Sequence, residues 1–140
     1  MPLVRISLSK RHTQETQKGI SLAVHQSLAN VFGIPNDDYF QIIEELELHQ
    51  LKFPENYLDI SHTADIVYIH IIAGQGRTVE IKRQLYAEIA DRIVNSTPIT
   101  KNNIIILLQE INVKENMSFG NGEIQELKHL TSHRNHSSFF

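Results

Sequence analysis

A chain of 140 residues, 41% hydrophobic and 21% charged, has room for one domain with its own core and an ordinary composition for a globular protein. The lack of cysteine excludes a disulfide framework and thiol chemistry, and a net charge of −3 without Lys/Arg-rich runs or interleaved aromatics offers no footprint for nucleic acid. No apolar run approaches the roughly eighteen residues that cross a bilayer, and Arg5, Lys10 and Arg11 interrupt the place where a signal peptide needs its apolar stretch, so a cytoplasmic protein without membrane partners is expected.

The first element is the apolar run Pro2-Leu3-Val4-Arg5-Ile6-Ser7-Leu8, which reads as a strand. Removal of Met1, which processing enzymes readily take off before proline, would turn Pro2 into a free secondary amine at its head. Burial beside apolar side chains disfavours the charged form of an amine and brings it toward working pH, where proton transfer is efficient. Proline at this position is also common in chains where it has no role, so the rest of the sequence must decide.

Residues 13–32 form an amphipathic helix, with Thr13 as N-cap, Glu15 in the first turn and Ile20, Ala23, Val24, Ser27, Leu28 and Val31 at three-and-four spacing. Gly33 and Pro35 stop it. After the turn Ile34-Pro35-Asn36-Asp37-Asp38, residues 39–46 open on Tyr39-Phe40 and read as a second strand, which completes a βαβ unit. Residues 50–64 read as a connection with little regular structure.

A second unit follows. Residues 66–72 are apolar at nearly every position, so the strand they form is expected to be covered on both faces. It ends at Gly74-Gln75-Gly76. A helix begins at Thr78 and carries Leu85, Tyr86, Ile89, Ala90 and Ile93 on one face; residues 104–108 supply the last strand. The two halves share the order strand, helix, turn and strand, and Arg11-His12-Thr13-Gln14-Glu15 has a counterpart in Arg77-Thr78-Val79-Glu80. Right-handed crossovers then predict an α/β fold, a duplicated β-α-β subunit whose four-stranded sheet carries both helices on one face. The bare face needs a cover, which oligomerisation can supply.

Two places stand out as chemistry. Arg77 follows a glycine turn at a strand end and precedes a helix, where a guanidinium and free backbone N–H groups could both meet a carboxylate; an arginine there also commonly answers a surface acid such as Glu80. Asp37-Asp38 could orient water or accept a proton, or could simply cap the turn. The eight histidines include no H-E-x-x-H pair, and His129 with His133 in a polar stretch does not make a metal site. There is no P-loop, G-x-S-x-G or full G-x-G-x-x-G, so no metal, nucleotide or other cofactor is expected. Gly120-Asn121-Gly122 reads as a turn after Met117-Ser118-Phe119.

With these elements in order the chain resembles the tautomerase superfamily, in the branch that contains malonate semialdehyde decarboxylase. The likeness runs from Pro2 to about Leu127. It rests on Pro2-Leu3-Val4-Arg5-Ile6, on Phe32-Gly33-Ile34-Pro35 with Asp37-Asp38 and Phe40-Gln41, and on Tyr57-Leu58. It extends through Gly76-Arg77-Thr78 with Glu80 and Lys82 to Ser118-Phe119-Gly120-Asn121-Gly122. The resemblance implies a tautomerase-like domain over residues 1–127 with a polar tail over 128–140, assembled as a homotrimer whose sheets form a central barrel. It also implies Pro2 as the proton-transfer residue, Arg77 as the holder of a substrate carboxylate, and Asp38 as the aspartate that activates water or positions the proline. Met117 and Phe119 would line an apolar wall. Gln75 stands in the region of a second arginine, Tyr39 where relatives often have arginine, and Met117 where they often have tryptophan, so pocket charge and shape differ from theirs. The implied activity is proline-dependent keto–enol tautomerisation of a small keto or enol carboxylic acid. Hydration or decarboxylation of a 3-oxo acid such as malonate semialdehyde, and a trimeric binding protein without chemistry, are the alternatives.

Overall fold

The computed structural model describes residues 2–125. Met1 and the polar tail expected over 128–140, with His129, His133 and the closing Phe139-Phe140, lie outside the described residues. The order is β1 (Pro2–Ser9), α1 (Gln14–Phe32), β2 (Phe40–Leu46), a short hairpin of β3 (Asn56–Tyr57) and β4 (Ile60–Ser61), β5 (Val67–Gly74), α2 (Val79–Ser96), β6 (Ile104–Ile111) and the single turn α3 (Val113–Asn116).

Both helices start where their caps predict. The Thr16 N–H donates to the Thr13 hydroxyl at 3.1 Å, and the Ile81 N–H donates to the Thr78 hydroxyl at 3.3 Å. Helix α1 ends at Gly33, which takes φ 71°, a left-handed conformation that favours glycine, and the Ile34 N–H turns back to the carbonyl of Leu28.

The sheet order is β2-β1-β5-β6, with β1 parallel to β2, β5 parallel to β6, and β1 antiparallel to β5 at the centre. This is the duplicated β-α-β arrangement expected from the repeat. Both helices pack on one face, where Val4, Ile6 and Leu8 of β1 and Val67, Ile69 and Ile71 of β5 meet Ile20, Val24 and Leu28 of α1 and Leu85, Ile89 and Ile93 of α2. Each such aliphatic side chain contributes about 1.5–3 kcal/mol when fully buried. Gly19 lets the ends of the helical layer close in: a Cβ there would meet Thr97 Cγ2 at 2.8 Å.

The other face corrects the expectation for β5. Tyr68, His70 and Ile72 alternate with its buried residues and are half-buried, not covered, within one chain. Beside them Phe40, Ile42 and Leu107 remain exposed, while Arg5 pairs with Glu44 at 3.3 Å and His70 with Gln109 at 2.9 Å. Smaller differences concern bounds, including β5, which runs Val67–Gly74 instead of 66–72. The second strand begins at Phe40 instead of Tyr39, β6 continues to Ile111, and the 50–64 connection contains the β3–β4 hairpin, whose strands of two residues are too short to show alternation. No helix among the described residues is long and apolar enough to cross a membrane.

Candidate active site

The topology gathers the chemistry at one end of the sheet. Strands β1 and β2 begin there, β5 and β6 finish there, α1 arrives with Phe32, and α2 departs with Thr78. Pro2 opens the central strand β1, paired with Ala73, and is buried on the parity that faces the helices, in line with Val4, Ile6 and Leu8. Proline lacks the N–H that a ladder needs, so the first residue of a central strand is where the sheet tolerates it.

Arg77 stands beside it. Its guanidinium donates from Nη1 to the carbonyl of Gly74 at 2.9 Å and from Nη2 to the carbonyl of Phe32 at 3.3 Å, and its Cζ lies 4.1 Å from the centre of the Phe32 ring. Gly74 is the residue after the partner of Pro2, so the guanidinium is fixed next to the head of β1. It therefore does not simply answer Glu80 in solvent. Burial pulls its pKa down to about 10, and the charge of Glu110 acts in the opposite direction. The group remains cationic at neutral pH.

Asp38 reaches this end from the turn after α1. Its N–H donates to the carbonyl of Pro35 at 3.0 Å, and the residue is 8% exposed. A carboxylate so enclosed departs from the solvent-facing habit of a turn aspartate. Tyr39 follows in line with Pro2, but it is 58% exposed and its ring rests on His25 of α1, with centroids 5.1 Å apart. It lies in an open groove of about 760 Å³ between α1 and the outer edge of β2, lined also by Lys18, Ser21 and Gln41. That groove includes neither Pro2 nor Arg77, and the buried polar groups mark the site better than the groove does.

Gln75 is exposed, tied to β6 through its N–H to the carbonyl of Ile111 at 3.0 Å. Met117 and Phe119 are half-buried in the segment after α3, and Phe119 packs on Phe40 with centroids 6.3 Å apart. Gln125 clasps that segment: it accepts from the Phe119 N–H at 2.7 Å and donates to the carbonyl of Gly120 at 2.6 Å.

Three residues at this end were not among the expected site residues. Phe32 supplies both a ring face and a carbonyl to Arg77. Glu110 of β6 pairs with Ala73 of β5 and accepts from Lys82 Nζ at 2.5 Å. The signal for Glu110 was alternation along β6, where an acid takes the next place on the apolar face of Ile104, Ile106 and Leu108; ending the strand at 108 hid it.

Known proteins give a consistent picture. A family described as "Tautomerase enzyme" matches residues 38–120, and a second family of the same description matches residues 2–51. A "Probable tautomerase YusQ" of Bacillus subtilis (strain 168) is 35% identical, over 91% of this chain and all of its own length. The FG41 malonate semialdehyde decarboxylase inhibited by 3-bromopropiolate superposes with a TM-score of 0.83 at 27% identity, covering 91% of this chain and 96% of its own. A fused 4-OT symmetric trimer shares the fold, with a TM-score of 0.72 at 19% identity, over 87% and 94% of the two chains.

Proposed function

Since the chain belongs to the tautomerase family, we propose that it moves a proton between oxygen and carbon of a small enol carboxylic acid, using Pro2 as the proton carrier. The observation that carries this reading is the juxtaposition of Pro2, at the head of the central strand, with the half-buried guanidinium of Arg77 held on the carbonyl of Gly74. In the proposed cycle the substrate carboxylate docks on Arg77. The neutral amine of Pro2 accepts the enol hydroxyl proton while the electron pair of that O–H bond forms the carbonyl. The ammonium then returns a proton to the adjacent carbon, where the electron pair of the enol C=C bond forms the new C–H bond, so that atoms and charge balance and no cofactor is called for. Met117 and Phe119, half-buried after α3, supply an apolar wall that keeps water from the reacting carbon.

Asp38 favours a second reading. A buried carboxylate at the same end could orient water toward a 3-oxo acid, with Pro2 protonated and acting as the acid, which is the hydration and decarboxylation alternative. Gln75 argues against it, because the exposed amide leaves Arg77 without a second guanidinium in that turn. The exposed Phe40, Ile42 and Leu107 on the bare face support assembly as a homotrimer in which other copies cover that face. Native mass spectrometry is expected to find three copies.

The decisive experiment gives the mature protein and its Pro2→Ala and Arg77→Ala variants a phenylenolpyruvate-type enol and a malonate semialdehyde-type acid. Loss of enol ketonisation in both variants supports the tautomerase reading; full activity in both would refute the site. NMR titration of the Pro2 amine separates the two modes, since a base must be neutral at working pH and an acid protonated. A form that retains Met1 is expected to be inactive.

A further inference from the structure

Beyond Arg77, the same end of the sheet holds an ion pair that neither reading uses. One cross-strand row on the helix-facing side runs from Pro2 to Ala73 to Glu110, so the Cα of Glu110 stands two strand spacings from that of Pro2, about 10 Å. Ala73, between them, is packed in the core, so Glu110 is the first charged side chain along that row. Lys82, from the first turns of α2, donates from Nζ to Glu110 Oε1 at 2.5 Å, with side chains 24% and 28% exposed. Lys82 is also tied to the Arg77 turn, because its N–H donates to the carbonyl of Thr78. The charge of Glu110 is felt at the Arg77 guanidinium.

We propose that Glu110 is a specificity-determining residue: by holding Lys82 in an ion pair, it limits this end of the pocket to one substrate carboxylate and turns away acids that carry a second one nearby. The inference rests on the reading that Arg77 anchors the carboxylate. A mono-acid places its single charge on Arg77 and has no second charge to present to Glu110. In a short di-acid such as the enol of oxaloacetate, the two carboxylates are separated by only two carbon atoms. With one of them on Arg77, the other comes near Glu110, a like charge in a partly desolvated place where such repulsion is weakly screened. The lysine that would welcome it is already occupied.

The test measures kcat/KM for a phenylenolpyruvate-type mono-acid and for the enol of oxaloacetate in the full-length mature protein. Glu110→Gln removes the like charge and releases Lys82, so the di-acid to mono-acid ratio is expected to rise at least about tenfold. Adding Lys82→Gln to that variant is expected to abolish most of the gain. Lys82→Gln alone leaves Glu110 unneutralised and is expected to lower the ratio, an independent reading should Glu110→Gln fold poorly. Thermal melts of each variant show whether the fold is kept. An unchanged ratio in both folded single variants overturns the proposal, as does a gain that survives in the double variant. If Arg77→Ala retains mono-acid turnover, the anchor reading itself fails and this inference with it. If Arg77→Ala abolishes turnover while Glu110→Gln leaves the ratio unchanged, the anchor stands and only the inference about Glu110 falls.

Discussion

Arg11 and Arg77 occupy the same local device in the two halves of the chain, and their fates differ. Each follows a strand, precedes a threonine N-cap, and has an acid in the first helical turn, Glu15 or Glu80. Because β1 and β5 run antiparallel, the two devices open at opposite ends of the sheet. Arg11 reaches Asp65 at 3.6 Å with both side chains more than half exposed. Arg77 lies on the ring of Phe32 with its charge held by two backbone carbonyls. The difference comes from the opposite half: α1 ends on the buried Phe32, while α2 ends on the exposed Asn95 and Ser96. A repeated local sequence thus yields one surface ion pair and one half-buried guanidinium held by backbone carbonyls, and burial contributed from elsewhere decides which is which.

The strongest challenge to this asymmetry acts on Pro2, which has no equivalent at the Arg11 end. Pro2→Ala, measured with a processed N-terminus, is expected to lower kcat by about 10²- to 10⁴-fold, the usual worth of a positioned proton carrier. Next comes Arg77→Ala, expected to lower kcat/KM by roughly 10²- to 10³-fold, since charge-assisted, bidentate contacts to a carboxylate are lost. Arg77→Lys should recover only part of it, because an ammonium lacks the planar fork.

Removing the platform is a test of the second half's dependence on the first. Phe32→Ala should cost about 3–5 kcal/mol in urea unfolding, as for a large buried aromatic, and should raise KM by releasing Arg77. The pH profile offers a milder probe. With the guanidinium pKa lowered to about 10, its charged form dominates below that pH and is lost above it, so kcat/KM should fall about tenfold per unit as pH rises beyond 10. Glu110→Gln withdraws a carboxylate that supports the charged form, so this limb should move to lower pH. The smallest effect belongs to Arg11→Ala, expected to change stability by at most about 1 kcal/mol and activity not at all. Comparable kinetic losses at Arg11 and Arg77 would show that the two devices are equivalent after all.

Most of the scaffold was legible in the sequence, because caps and periodicity are local. Thr13, Thr78 and Gly33 bound their helices as their chemistry predicts, and the repeated order of elements led to the parallel pairing within each half. What escaped was non-local. An apolar run such as β5 cannot say that one of its faces meets helices and the other meets nothing in the same chain. The burial of Arg77 depends on a carbonyl 45 residues away in sequence, so turn chemistry alone left it between a surface pair and an anion holder. Glu110 and Lys82 were harder still, since their meeting requires the register of β6 against β5 and the position of α2 above it.

The hydrogen bond from Arg77 to the carbonyl of Phe32 has a mechanical side. That carbonyl belongs to the last residue of α1, and the guanidinium belongs to the turn that launches α2, so one side chain spans the seam between the duplicated units. If a carboxylate docks on Arg77 as proposed, it loads this seam, and the stiffness with which the two repeats lean on each other becomes part of the free energy of holding it.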